Sequence, residues 1–324
     1  MRDLVRVLEG LRSFLERGSE IARVVPLSTG HSNETYLLEG LNRILRTPPS
    51  SDGLLPPYDM RRQRAVIASV RGLLGGPPVP EVFELCEDPA VIGDPFFIME
   101  RLPGEAFEYE IPAWLIEAAP EVRGSVSAQW VGAVAGLHNL ATPAAFGPPR
   151  TPRDEAIRWR DVAAGANAPE LAATLDDLAK DPPCTSGPPA PVHGDPKLAN
   201  CLWHEGRLTG LLDWELAYHG EPLADLGYML WWFPEGPSTH HAATSELPGF
   251  WTRTQVIAAW EAATGRSARG VERHEAAAIG KIAAIIAVGV ELWRTGRSSD
   301  PRFEPWDAIV PELTRSVREK MAAP

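Results

Sequence analysis

Residues Pro191-Val-His-Gly-Asp-Pro-Lys-Leu-Ala-Asn200, followed by Leu211-Leu-Asp-Trp-Glu215, form the densest polar cluster in this chain of 324 residues. Between them, Cys201-Leu-Trp203 and Arg207-Leu-Thr-Gly-Leu-Leu212 read as two short strands joined by a turn at His204–Gly206. Such a hairpin returns Asp213 toward the loop that carries Asp195 and Asn200. A carboxylate able to accept a proton, an amide oxygen and a second carboxylate able to hold Mg²⁺ are what phosphoryl transfer requires. The lesser readings are Asp195 as a plain turn former in a Gly-Asp-Pro turn and Asp213 as a strand-end cap; the company of Asn200 argues against them. A metal-dependent hydrolase built on His193, Asp195, His204 and His219 is disfavoured: the histidines lack the i, i+4 spacing of a helical metal site. His204 and His219 also sit in apparent turns beside Gly206 and Gly220.

The composition bounds the partners. Lys+Arg 31 against Asp+Glu 43 gives a net charge of −12, which argues against a nucleic-acid binder. Residues 1–102 carry a net charge of −2 and residues 103–324 a net of −10, so the acidity belongs to the second part. Of the basic residues 27 are Arg and four are Lys, and the first lysine is Lys180. Cys86, Cys184 and Cys201 are far apart and lack metal-type spacing, so a reduced cytoplasmic protein is expected, as a monomer or homodimer. The amphipathic stretch Met1–Glu20 lacks the apolar core of a signal peptide. The later run Ile282–Val290 is far shorter than the roughly 20 residues of a membrane span, so it reads as a buried helix.

Periodicity divides the chain into two parts. The first predicts short strands at Arg23–Leu27, Thr35–Glu39, Arg43–Arg46, Val82–Cys86 and Phe96–Glu100, with a helix over Met60–Leu74. The second predicts helices over Val126–Leu140, Glu170–Lys180, Leu223–Trp232, Trp251–Thr264, Val271–Trp293 and Trp306–Glu319 around a β-rich patch, Val192–Asp213. The expected organisation is a small β-rich lobe (residues 1–102), a join near Glu100–Gly104 and a larger helical lobe (residues 103–324). Such a join makes a cleft, where small-molecule sites tend to lie.

The ordered set His193-Gly-Asp195, Asn200, Asp213-Trp-Glu215, Gly220-Glu-Pro222 and Asp225-Leu-Gly227 resembles the catalytic core of the aminoglycoside phosphotransferase-like (choline kinase-like) family. Within that family it is most similar to the kinase-like domains attached to acyl-CoA dehydrogenases, over roughly residues 25–300. The resemblance implies an α+β, protein-kinase-like fold of two lobes. It implies Asp195 as the general base toward an acceptor hydroxyl, with Asn200 and Asp213 as ligands of the Mg²⁺ that bridges the phosphates of ATP or GTP. It also implies that Asp225 and His193 brace the catalytic loop. Glu215 reads as either a solvated turn residue or a support for the site, and Lys197 as either a phosphate contact or an ordinary loop lysine.

In the first lobe, Ser28-Thr-Gly-His-Ser-Asn-Glu-Thr-Tyr36 lies between two strands and resembles the Gly-x-Ser-Asn-x-Thr-Tyr pattern of the same branch, so the backbone amides of Ser32 and Asn33 are expected to donate to phosphate. Protein kinases use a lysine on the third strand paired with a glutamate on the next helix. This chain has no lysine before Lys180; Arg43-Ile-Leu-Arg46 followed by Thr47-Pro-Pro49 resembles the Leu-Arg-x-Pro-Pro pattern of the same branch, which implies Arg46 at that position, and an arginine stays charged and can fork onto phosphate oxygens. Arg43 is expected on the opposite face of the strand. The aligned helix position is Gln63, and no acid occurs between Met60 and Gly76. This departs from the family pattern and weakens the charge pairing around Arg46. Backbone groups near Glu100 and Leu102 are expected to read the nucleotide base.

The expected function is phosphorylation of a hydroxyl on a small molecule such as an antibiotic or hydroxylated metabolite. The alternative is a catalytically weak, pseudokinase-like nucleotide-binding module. Trp231, Trp232, Phe233, Trp251, Trp260, Trp293 and Tyr228 are expected mostly in the core, and Glu105, Glu108 and Glu110 in a solvated loop.

Overall fold

A computed structural model describes residues 2–27, 32–107, 110–233 and 246–322. Residues 28–31 of the expected phosphate loop, and Glu108, lie outside the described residues. Helix α1 (Leu4–Phe14) is capped by Asp3, whose carboxylate accepts from the amides of Val5 and Arg6. Strands β1 (Arg23–Pro26), β2 (Glu34–Glu39) and β3 (Arg43–Thr47) follow, then α2 (Met60–Arg71), β4 (Val82–Cys86), the single turn α3 (Pro89–Ile92) and β5 (Phe96–Glu100). The strands form one antiparallel sheet in the order β1-β2-β3-β5-β4, with Arg46 opposite Thr35 on one side and Phe97 on the other.

Alternation along the strands splits this sheet into two faces. One face, with Tyr36, Leu38, Leu45, Phe96 and Ile98, packs under Val7 and Leu11 of α1. The other, with Leu37, Ile44, Phe97 and Met99, packs against Met60, Val66, Ile67 and Val70 of α2 and continues into the helical lobe. Arg46 shares this second face. Arg43 lies on the first, with its guanidinium 3.6 Å from the Phe83 ring centroid.

The helical lobe comprises α4 (Ala113–Glu117), α5 (Pro120–His138), α6 (Pro152–Gly165), α7 (Pro169–Lys180), α8 (Leu223–Trp231), α9 (Arg253–Thr264), α10 (Val271–Arg294) and α11 (Trp306–Ala322). Two small antiparallel pairs sit among them: β6 (Ala190–Val192) with β9 (Tyr218–Gly220), and β7 (Cys201–His204) with β8 (Arg207–Leu211). Glu205 and Gly206 both have positive φ, which is the two-residue turn that the right-handed twist of a hairpin favours. Helix α10 is long and apolar enough to cross a bilayer by length and composition, yet it is mostly buried and packs against α6, α8 and α11.

Three readings of the sequence need correction here. His219 lies in β9 and not in a turn, because β9 pairs with β6 through His219 and Pro191. Helix α5 begins six residues before Val126: Pro120 sits in its first turn, where a proline loses no hydrogen bond, ahead of the periodic apolar run. Helix α6 was not expected. Its inward residues Ala156, Trp159 and Ala163 are mostly small, so the apolar period is faint. Its start is nevertheless written in Thr151-Pro-Arg-Asp154, a complete capping box with Pro152 in the first turn.

Candidate active site

The catalytic-loop candidates converge on a buried carboxylate in the first turn of α8. Asp225 accepts from the amides of His193 (2.7 Å) and Gly194 (2.8 Å) and from the His138 imidazole (3.1 Å). Trp260 Nε1 donates to His138 Nδ1 at 2.9 Å, which leaves the His138 proton on Nε2, facing Asp225. Burial opposes ionisation of Asp225, but the His138 hydrogen bond and the facing amides win and hold its carboxyl below the usual range. The bracing role implied for Asp225 is thus visible in its contacts.

His193 is arranged to the same end. Its Nδ1 accepts from the Asp195 amide at 3.2 Å and its Nε2 donates to Leu212 O at 2.9 Å, which requires the neutral ring. Burial pushes its pKa down, consistent with that form. Gly194 has φ +86°, and a Cβ there would stand 2.6 Å from Leu216 O, so only glycine fits. The buried Lys281 of α10 donates to Gly194 O and stands 4.2 Å from the Tyr228 ring centroid. Trp130 Nε1 donates to Pro196 O at 2.7 Å. The sequence reading missed Lys281 and His138, because both come from helices far away in the chain.

Asp195 emerges from this scaffold with its two oxygens in different states. Asn200 Nδ2 donates to Asp195 Oδ2 at 2.9 Å and to Asp195 O at 2.8 Å. Asp195 Oδ1 is buried and has no hydrogen-bond partner among the described residues. A buried acceptor without a partner is costly, and sites that bind a ligand are where such atoms occur.

Asp213, at the end of β8, adopts the left-handed conformation at φ 65°, which aspartate tolerates better than most residues. Arg46 reaches across from the sheet lobe, and its Nη2 donates to Asp213 Oδ1 at 2.5 Å. Arg46 Nε lies 3.4 Å from Gln63 Oε1 and its Nη1 3.4 Å from Thr35 Oγ1. The sequence pointed to Gln63 as the positioning partner of Arg46; the shorter, charge-assisted bond is to Asp213. Gln63 sits on the buried face of α2 and also receives Asn33 Nδ2 at 3.3 Å.

Glu215 is a support for the site and not a solvated turn residue. Its carboxyl receives Ser32 Oγ and, at 2.6 Å, Asn33 Nδ2, so the end of the expected phosphate loop is tied to the segment that carries Asp213. Burial, then the neighbouring Asp213, pushes the Glu215 pKa up to about 8. The side chains of Ser32 and Asn33 therefore face Glu215, leaving their backbone amides as the groups expected to meet phosphate.

At the join, the Glu100 amide donates to Glu81 O at 2.8 Å, and the Glu100 carboxylate accepts from the Glu81 amide at 3.0 Å. Glu100 N is thus committed within the sheet lobe. Leu102 N has no hydrogen-bond partner among the described residues, and the Leu102 side chain lies against Gly210 of β8. Past the join, Glu105 pairs with Trp203 through both backbone bonds, at 3.0 and 2.9 Å. The side chains of Glu105 and Glu110 are exposed.

Leu216, whose carbonyl faces Gly194 of the catalytic loop, belongs to an apolar cluster of the helical lobe. The segment between β3 and α2 crosses to the helical lobe, where Leu54 is buried against Leu292 and Phe303. Asp52 pairs with Arg297 at 2.9 Å. Leu55 and Trp231 pack on the cluster that contains Leu216. Trp260, Phe233 and Tyr228 are core residues, while Trp231, Trp232, Trp251 and Trp293 are only part-buried. Among the described residues no cluster of three or more His, Cys, Asp or Glu side chains is placed to hold a metal ion. The donors available to Mg²⁺ are an amide and a carboxylate, Asn200 and Asp213, the oxygen chemistry that this cation prefers when it keeps waters and phosphate oxygens as its other ligands.

The fold and this loop place the chain among kinase-like phosphotransferases. It belongs to the phosphotransferase enzyme family, whose model matches residues 23–279. Curated relatives include acyl-CoA dehydrogenase family member 11 of Gallus gallus, 31% identical over 239 residues, and acyl-CoA dehydrogenase family member 10 of Mus musculus, 29% identical over 238 residues. These matches cover 70% and 69% of this chain but only 30% and 21% of the relatives, so the chain corresponds to less than a third of their length. Among solved structures, a "putative aminoglycoside phosphotransferase" from Ralstonia eutropha superposes with a TM-score of 0.76 at 22% identity, over 99% of this chain and 98% of its own. The streptomycin–ATP–APH(2″)-IIa ternary complex superposes at 0.58, with 14% identity, over 89% and 91% of the two chains. The GDP complex of aminoglycoside 2′-phosphotransferase-IIIa superposes at 0.61, with 15% identity, over 99% of both. At these identities the solved structures establish the fold.

Proposed function

We propose that the chain is a small-molecule kinase that transfers the γ-phosphoryl group of ATP, or of GTP, to a hydroxyl of its acceptor. The observation that carries this reading is Asp195: one oxygen is fixed by Asn200, and the other is buried without a partner among the described residues, as a base awaiting a hydroxyl proton would be. In the step, the acceptor oxygen bonds to the γ-phosphorus, the bond from that phosphorus to the β-bridging oxygen breaks, and the hydroxyl proton passes to Asp195 Oδ1. Mg²⁺ held by Asn200 and Asp213 would neutralise the phosphate charge. Arg46 adds a fixed positive charge beside Asp213, and the Ser32 and Asn33 amides cover the phosphates. Residues 1–102 act as the nucleotide lobe, with Leu102 at the base, and residues 103–324 carry the catalytic loop and acceptor pocket.

The part-buried Trp231 and Leu55, which pack on the cluster that contains Leu216, favour an acceptor with an apolar portion. The neighbouring aminoglycoside complexes and the acyl-CoA dehydrogenase relatives leave the acceptor class open, because function resides in the site and not in the fold. The second reading, a nucleotide-binding module of weak activity, rests on Gln63, which gives Arg46 a neutral partner where kinases use an acid. A screen of hydroxyl compounds with ATP and GTP as donors, scored by acceptor-dependent nucleoside diphosphate release, separates the two. Turnover with at least one compound supports the kinase; nucleotide binding without turnover on any of them supports the module.

A further inference from the structure

A cavity of about 240 Å³ opens beside the segment that follows Asp213. Its charged lining is Arg62 from α2, Arg150 from the link before α6, Arg158 from α6 itself, and Glu215, whose carboxyl receives Ser32 and Asn33. Arg62 donates to the carbonyls of Glu215 (3.5 Å) and Ala217. The Arg150 guanidinium stands 4.3 Å from the Tyr218 ring centroid and 3.0 Å from Glu155 Oε1. Arg158 stands 4.7 Å from the Trp159 ring centroid and 3.6 Å from Glu155 Oε2. Among the described residues, Glu155 is the one carboxylate in ion-pair contact with any of the three. Asp59 accepts from the Arg62 backbone amide at 2.8 Å and acts on the Arg62 guanidinium through the longer-range field.

Three guanidiniums against the carboxyl groups of Glu155 and Glu215 leave an excess of positive charge in a partly desolvated space. Burial, then the field of Arg150, holds the Arg62 guanidinium below its ordinary value, so the cluster is strained by its own repulsion. That excess favours an anion such as a phosphate group, which carries about −1.5 to −2 at neutral pH. The volume lies below the roughly 300–1,000 Å³ of pockets that take drug-sized ligands, which suits a compact anion. Planar, forked guanidinium donors suit a tetrahedral set of oxygens. Phe146, Gly147, Pro148, Leu216 and Ala217 line the rest without adding charge.

We propose that this cavity binds a phosphate dianion, free or as the phosphomonoester end of a larger molecule, and that the bound anion ties α2 to α6. Arg62 directly precedes Gln63, the residue that receives Arg46 and Asn33, so the tie fixes the part of α2 that faces the nucleotide lobe's charged groups. The site is distinct from the catalytic loop, and its test reads binding, so it stands or falls separately from the proposed kinase activity.

Calorimetric titration of the full chain at low ionic strength, with inorganic phosphate and separately with O-phosphoethanolamine, tests the site. The expected result is saturable binding of phosphate that Arg150→Gln and Arg158→Gln each weaken at least tenfold. Binding of both probes identifies the phosphate end of a larger molecule, and binding of phosphate alone identifies the free anion. A tungstate-soaked crystal gives a reading that needs no variant, with a tungsten peak expected between the three guanidiniums. No saturable binding, wild-type binding in both variants, or tungsten found only elsewhere overturns the site. Phosphate should also slow hydrogen exchange of the α2 amides; binding with unchanged exchange there overturns the tie.

Discussion

Arg46 of strand β3 donates to Asp213 across the interlobe cleft at 2.5 Å, so a cation of the sheet lobe grips the carboxylate expected to hold Mg²⁺. The side chains are 12% and 27% exposed, so the pair is well screened from water and stronger than a surface bridge. One residue therefore links the sheet lobe to the segment that carries the expected Mg²⁺ ligand.

Arg46→Ala is expected to raise the nucleotide KM about tenfold or more, the effect of losing one charge-assisted bond of roughly 1.5–3 kcal/mol. Arg46→Lys keeps the charge but loses the fork to Thr35 and Gln63, so it should fall between wild type and Ala. Steady-state kinetics at varied nucleotide concentration decides it; equal losses in Lys and Ala would contradict a role for the charge.

Glu215 predicts a pH dependence of stability. Its folded pKa of about 8 lies above the ordinary value of 4.5, so the folded state holds a proton that the unfolded chain has released. The stabilisation is full below about 4.5 and is lost as pH rises through about 8. Glu215→Gln removes the titration while keeping an acceptor for Ser32 and Asn33. Melting temperatures from pH 5 to 9 should show the variant gaining on wild type toward alkaline pH. Parallel curves would refute the assignment.

Asp225→Asn tests the brace beneath the loop. Asn offers one acceptor oxygen where Asp225 now receives two amides and His138, so at least one buried donor loses its partner, costing about 1–3 kcal/mol. Urea unfolding should show that loss with an unchanged denaturant slope, and kcat should fall because Gly194 and Asp195 are no longer pinned. Wild-type stability would mean that the amides find other partners.

Much of this site could be read directly from the chain. Asp195, Asn200 and Asp213 lie within nineteen positions, and a hairpin whose turn ends in Gly206 has one plausible way to return Asp213 to the loop. Arg46 was legible from the resemblance of Arg43–Pro49 to the Leu-Arg-x-Pro-Pro pattern, in a chain where no lysine precedes Lys180. The supports were hidden for a common reason. His138 and Lys281 act through contacts set by packing of α5 and α10, and no local period marks a buried polar residue on an apolar helix face; Glu215 was open between a solvated turn residue and a support until its contacts decided it. Gln63 looked like a defect of sequence; packing makes it a buried acceptor shared by Arg46 and Asn33. The arginine cavity was equally invisible, since its three residues become neighbours only when α2 meets α6.

The central claim is that Asp195 Oδ1 takes the acceptor proton, and Asp195→Asn tests it with the least disturbance, since the amide keeps the shape of the side chain. With an acceptor found in the screen, the account predicts wild-type affinity for the Mg²⁺-nucleotide and a fall in kcat of about 10²–10⁴-fold, the effect of a positioned base. A variant that turns over at the wild-type rate would contradict it.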